Sequence, residues 1–171
     1  ADVLYPFGHG LSFTSFSYSA LSTSADSTGR AISPCEPVVI SLRVRNSGRV
    51  DGSEVVQLYV RWLDAQQPTP HIQLVNFTKV WIASGSSRLV ALTIDARRMA
   101  LLQPPKAPAQ VQPHTLQQHT DTDTWRPPEW WVLPGRIEFH VGGGQPGHAA
   151  AAEPLSGVSL VRGAARAAKG C

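Results

Sequence analysis

A chain of 171 residues is long enough for one domain with a sizeable core and one or two tails. Charged residues are only 16% and the formal net charge is +3. The basic excess is scattered, with Arg162, Arg166 and Lys169 near the end, and no Lys/Arg block interleaves with aromatics, so nucleic acid is excluded as a partner. No apolar run approaches the ~20 residues that span a bilayer, so no membrane partner is expected either. The chain opens at Ala1 and reads as a fragment or processed product; the lack of a leader is therefore neutral on secretion.

In chain order, Leu4 to Thr14 is aromatic and glycine-rich with no helical period, and Gly8 and Gly10 allow a sharp turn around His9. Phe16–Leu21 alternates and predicts a first strand, followed by a polar loop to about Pro34. Pro37–Asn46 is a second strand, with Ile40, Leu42 and Val44 on one face. The turn formers from Asn46 to Gly52 lead into Glu54–Trp62, where Val56, Leu58, Val60 and Trp62 share one face and Val55, Gln57, Tyr59 and Arg61 the other. These two strands read as a hairpin.

After the break at Pro68-Thr-Pro70, Leu74–Ile82 is β-rich, Ser84–Ser87 is a turn, and Arg88–Asp95 alternates with Val90, Leu92 and Ile94 inward. Asp95 is placed to cap a helical turn or two through Leu102. Composition then shifts to Pro, Gln, His, Thr and Asp, predicting a flexible insertion over 103–124 that buries too little to offset its ordering entropy. Trp130–Gly135 restores order, and Ile137, Phe139 and Val141 mark a late strand. Leu155–Val161 predicts one more, and residues 162–171 read as a frayed tail.

About seven short strands at roughly ten-residue spacing predict an all-β fold: a two-sheet antiparallel sandwich of immunoglobulin-like type. The Cys…Trp…Cys pattern of antibody domains is missing, so a fibronectin type III-like variant fits better. Cys35 and Cys171 are free to pair, but no spacing requires it, and a terminal residue is ordinarily mobile.

Few residues carry chemistry. Of the acidic residues, Asp26, Asp51 and Asp64 sit at turns, and Asp121 and Asp123 sit in the insertion, so no catalytic pair is assigned. His114 and His119 lack any companion metal motif, and neither a metal nor another cofactor is expected. The run Gly142–Gly147 matches a dinucleotide fingerprint formally, but Pro146 and the absence of a following helix make it a false match. His9, held between two glycines and flanked by aromatics, is a candidate ligand or interdomain contact, although a turn role outweighs it. Trp130 and Trp131 must face opposite ways in a strand, so one is available to a neighbouring domain or a sugar. Asn76-Phe-Thr78 is an N-glycosylation sequon.

Four blocks occur in order. Tyr5-Pro-Phe-Gly-His-Gly-Leu-Ser-Phe-Thr-Ser-Phe16 leads. Val44 to Val60, Gln73 to Ile82 and Leu133 to Gly142 follow. Together they resemble the C-terminal fibronectin type III-like domain of family 3 glycoside hydrolases, the β-glucosidases and β-xylosidases. The resemblance implies that residues 1–15 link from a preceding hydrolase domain, that 16–161 form the sandwich, and that the catalytic domains of a parent are its partners. It implies a parent that hydrolyses O-glycosyl bonds in carbohydrate metabolism. The family's catalytic Asp and acid/base residue have no counterpart in this chain, which is expected to be inactive alone. The resemblance and the sequon together suggest a secreted or cell-wall setting. The alternative reading is an autonomous carbohydrate-binding or adhesion module with an oligosaccharide as partner.

Overall fold

The computed structural model describes residues 5, 7–24, 31–103, 129–147 and 154–171. The sandwich rests on strand alternation. In β2 (Val38–Asn46), Val38, Ile40, Leu42 and Val44 are buried while Arg43 and Arg45 face water. In β3 (Gly52–Trp62), Val56, Leu58 and Val60 are wholly buried. With β1 (Phe16–Thr23) and β5 (Ser87–Ile94), β2 forms a three-stranded antiparallel sheet in the order β1-β2-β5. With β4 (Gln73–Ile82), β8 (Gly135–Gly142) and β9 (Leu155–Val161), β3 forms a four-stranded antiparallel sheet, β4-β3-β8-β9. Ile40, Leu42 and Val44 from one sheet and Val56, Leu58, Val60, Phe139 and Val141 from the other share one core. These seven strands are the expected sandwich.

The hairpin expected from β2 and β3 does not form. β2 pairs with β1 and β5, and β3 pairs with β4 and β8, so the turn between them crosses from sheet to sheet. Both strands carry a continuous aliphatic face, and crossing lets each bury that face in the shared core. Asn46, fully buried, fixes the crossing. Its side-chain nitrogen donates to the carbonyls of Val50 (2.8 Å) and Ile82 (3.0 Å), and its side-chain oxygen accepts from the N–H of Gly48 (3.1 Å).

A third sheet, β10-β7-β6, adds to the sandwich. Its strands are β6 (Leu101–Gln103), β7 (Glu129–Val132) and β10 (Arg166–Ala167). Before it comes one helical turn, α1 (Ala96–Met99), capped as expected by Asp95, whose carboxylate accepts from the N–H of Arg98 at 2.9 Å. The helix ends at Met99 rather than running on to Leu102, because Ala100 turns extended and Leu101 pairs with Trp131. Trp62 is core, its indole N–H donating to the Met99 carbonyl at 3.1 Å.

The chain end departs from expectation. Instead of fraying, residues 166–167 pair with β7, and Ala168 is buried at the start of a 3₁₀ turn, Ala168–Gly170. Cys35 and Cys171 form a disulfide, with their Cα atoms 5.0 Å apart. The reason lies in a contact that local patterning does not encode. Ile32 bridges Val161, its N–H donating to Leu160 and its carbonyl accepting from Arg162, each at 2.9 Å. That sets the turn containing Cys35 beside the exit of β9. Residues 104–124 of the expected insertion, with His114, His119, Asp121 and Asp123, lie outside the described residues, as does Asp26.

Candidate functional site: a strapped cleft

Residues 7–15 form a strap that is pinned at both ends and bowed in the middle. At its first anchor the Phe7 carbonyl accepts from the Gln145 N–H (3.1 Å), and the Phe7 N–H donates to the Gln145 side chain (3.4 Å). Gly8, at φ +83°, sits so close to β3 that a Cβ there would stand 2.5 Å from Nε2 of Gln57. This explains a buried polar residue on the outer face: Gln57, 4% exposed, donates to the Gly143 carbonyl at 3.1 Å and accepts from the Tyr59 hydroxyl at 2.5 Å. At the second anchor, the Thr14 hydroxyl donates to the Asn46 side chain at 2.6 Å, and the Ser15 carbonyl accepts from the N–H groups of Ser47 (2.8 Å) and Gly48 (3.3 Å). Between the anchors, Leu11 and Phe13 are 100% and 99% exposed.

Under the strap lies a cleft of about 810 Å³, where the outer face of the four-stranded sheet meets the open end of the sandwich. Phe7, Val55 and Phe77 line it, and all three are also exposed. In its floor the Tyr18 hydroxyl hydrogen-bonds the Glu54 carboxylate, joining β1 to β3 across the sheets. Gly143 abuts both, since a Cβ there would come within 2.7 Å of Glu54 and 2.8 Å of Tyr18. Burial pushes the Glu54 carboxyl above its usual 4.5, against the hydrogen bonds from Tyr18 and from the Val55 N–H, which pull it down. Burial, then the neighbouring Glu54 charge, pushes the Tyr18 phenol far above its usual 10. Glu54 is the one carboxylate among the described residues lining the cleft. The pair ties the two sheets together in the floor of the cleft.

Ion pairs lie elsewhere. Arg61 donates to Glu138 through Nε (2.8 Å), and His140 Nε2 lies 3.2 Å from the same carboxylate. Partial burial pushes the Glu138 carboxyl up, but the hydrogen bonds and charges of His140 and Arg61 outweigh it and leave it below 4.5. Asp64 accepts from the Arg136 N–H (2.8 Å) and pairs with its guanidinium (2.7 Å), which holds its carboxyl at about 2. Asp51 serves its turn by accepting from the Ser84 N–H at 2.8 Å.

The structure separates the residues singled out from sequence. His9 lines the cleft and is exposed, its ring 5.0 Å from that of Tyr5. Trp130 and Trp131 lie on the third sheet, outside the lining of the cleft; Trp130 is 56% exposed and Trp131 is half-buried between β6 and β10. Asn76 lies on the edge strand β4, and its side-chain nitrogen, the atom a glycan would use, donates to the Thr93 carbonyl at 2.8 Å. Sequence reasoning missed Glu54, Tyr18 and Asn46. The available signal was parity: Glu54 shares the inward alternation of Val56, Leu58 and Val60, and an acid on an inward face needs a partner.

Fold and strap together define an all-β sandwich with an N-terminal arm laid over one sheet. Residues 54–145 match the family described as Fibronectin type III-like domain, and the chain belongs to that family. It is 37% identical over 99 residues to thermostable β-glucosidase B of Acetivibrio thermocellus, covering 58% of this chain and 13% of that protein. It is 42% identical over 94 residues to probable β-glucosidase H of Neosartorya fischeri, covering 55% of this chain and 11% of that protein. The structure of β-glucosidase 3B from Thermotoga neapolitana in complex with glucose matches 95% of this chain and 18% of its own, with a TM-score of 0.67 at 27% identity. The chain thus spans about an eighth of the length of these curated relatives. It is a fibronectin type III-like accessory domain of the kind carried by β-glucosidases, as its resemblance to the family 3 hydrolases implies.

Proposed function

We propose that the strapped face is the surface on which the catalytic part of a parent β-glycosidase docks, and that this domain supports that enzyme without supplying its carboxylates. The observation that carries this reading is the strap itself. Leu11 and Phe13 are bare of contacts, yet they lie on a segment held firmly by Gln145 and Asn46. Large apolar groups fixed in place and left in water are characteristic of surfaces that a partner covers. Phe7 and Phe77 widen the same patch. The parent's reaction, on this reading, is hydrolysis of β-linked glucose or xylose. We further propose a secreted or cell-wall setting; a disulfide between Cys35 and Cys171 supports it, since such bonds persist in oxidising compartments.

The test uses the longer protein. Leu11→Ser with Phe13→Ser should speed its thermal inactivation and release the sandwich to limited proteolysis. Unchanged inactivation and proteolysis in the double variant would overturn the docking reading. Residues 1–171 alone should not hydrolyse an aryl β-glucoside, and turnover by the purified chain would defeat the accessory role.

A further inference from the structure

The C-terminal segment is held in an unusual way. From the end of β9 the chain returns to lay two residues, Arg166 and Ala167, against Val132 and Trp131 at the free edge of β7. Ala168 then fills a buried position in the core cluster, and Lys169 pairs with Glu129 at the surface. These contacts are few. A two-residue ladder, one buried methyl group and one exposed ion pair are a small return for ordering a segment of this length. A further hold is covalent: Cys171, exposed, is joined to Cys35 in the turn that begins at Ser33. That turn is itself braced, with the Glu36 N–H donating to the Ser33 carbonyl at 3.0 Å and the Ser33 N–H to the Glu36 carboxylate at 3.2 Å. One end of the bridge is thus braced by hydrogen bonds, and the other lies on a segment with a short ladder.

We propose that Cys35–Cys171 is a redox latch: oxidised, it holds residues 166–171 as the outer edge of the third sheet; reduced, it releases them while the sandwich stays folded. The sandwich keeps its own ladders when the latch opens, because β2, β3, β5 and β8 fill the core by pairing with one another, although freeing the unfolded chain across the 136 residues that the bridge spans lowers its stability. What release uncovers is specific. The edge of β7 regains unpaired backbone groups beside Val132, and the core cluster that Ala168 shares with Met99 and Leu101 opens at the site of Ala168. The reductant is a dithiol. Its thiolate attacks one sulfur, the Cys35–Cys171 bond breaks and a mixed disulfide forms. The reductant's second thiol resolves that intermediate. Two electrons and two protons end on the two cysteines, and the reductant leaves as its own disulfide.

Hydrogen exchange followed by mass spectrometry, on the chain with and without dithiothreitol, tests this. Without reductant, thiol titration of the denatured chain should find neither cysteine free. With it, amide protection across 166–171 and in β7 should fall more than about tenfold, while that of β3 and β8 holds. The Cys35→Ser/Cys171→Ser variant should reproduce the reduced pattern without reductant. Two free thiols in the untreated chain, a tail still protected after reduction or in the double variant, or loss of protection in β3 and β8 along with the tail would each overturn the latch.

Discussion

The sandwich interior and the strap are built from similar residues and reach opposite ends. Inside, Val44, Leu58, Val60 and Phe139 lose nearly all contact with water because each sheet presents its alternate side chains to the other. On the strap, Leu11 and Phe13 are as apolar and stay fully exposed. Among the described residues the middle of the strap has no strand partner and nothing over its outer side; hydrogen bonds fix its ends and leave Leu11 and Phe13 outside. Hydrophobicity alone therefore does not assign a residue to the core. A second surface must be there to receive it, and the strap's is not within the described residues.

Breaking the interior should have the largest effect. Phe139→Ala removes a ring that is 1% exposed at the centre of the four-stranded sheet, and should cost about 3–5 kcal/mol in urea unfolding. A loss well under that would mean the two sheets close over the gap, and the contrast between a tight interior and an open strap would weaken.

Asn46 joins the two regions, since one side chain holds the sheet crossing and receives the Thr14 hydroxyl of the strap. Asn46→Ala strands the carbonyls of Val50 and Ile82 and the N–H of Gly48, and should cost about 2–3 kcal/mol. It should also raise hydrogen exchange at residues 14–16 beyond what Phe139→Ala does. Equal exchange there in both variants would show that the strap is not tied through Asn46.

The next effect is smaller and depends on pH. The Glu54 carboxyl titrates above 4.5 in the folded chain because burial disfavours its charge. Its contribution to stability is therefore complete below the unfolded value and is lost as pH rises through the folded one. Glu54→Gln cannot titrate. Its stability relative to the parent sequence should rise as pH climbs from about 4.5 through the raised folded value, whatever the offset at the acid end. Asp64 and Glu138, whose carboxyls are lowered, act in the opposite sense and on the acid side of that window. A relative stability that is flat or falls across the window would mean that Glu54 is ionised in the fold at little cost.

The legible parts of this chain are those governed by neighbours in sequence. Alternation placed the inward residues of β2, β3, β5 and β8, and Asp95 announced its helical turn. The hairpin expected of β2 and β3 failed because strand partners are chosen by the whole core, not by the turn between them. The third sheet and the disulfide were hidden for the same reason: β10 and Cys171 find their places through Ile32 and β7, far away in the chain. In the cleft, His9 could be singled out because its glycine neighbours signal a turn. The Tyr18–Glu54 tie joins opposite sheets, and alternation gives only the face of each residue, not its partner.

The smallest expected effect concerns the strap in isolation. Leu11→Ser with Phe13→Ser should leave the unfolding free energy of the 171-residue chain within about 0.5 kcal/mol, because neither side chain has anything to lose on unfolding. Phe13 is adjacent to the Thr14 anchor, so the control is hydrogen exchange at Thr14, which should not change. If the double variant destabilises the isolated chain by much more, the two residues pack within it and the docking surface loses its support. If the isolated chain is unmoved while the longer protein is weakened, the two regions differ only in where their covering layer comes from. On that outcome the interior is covered by the opposite sheet and the strap by the part of the longer protein proposed to dock on it.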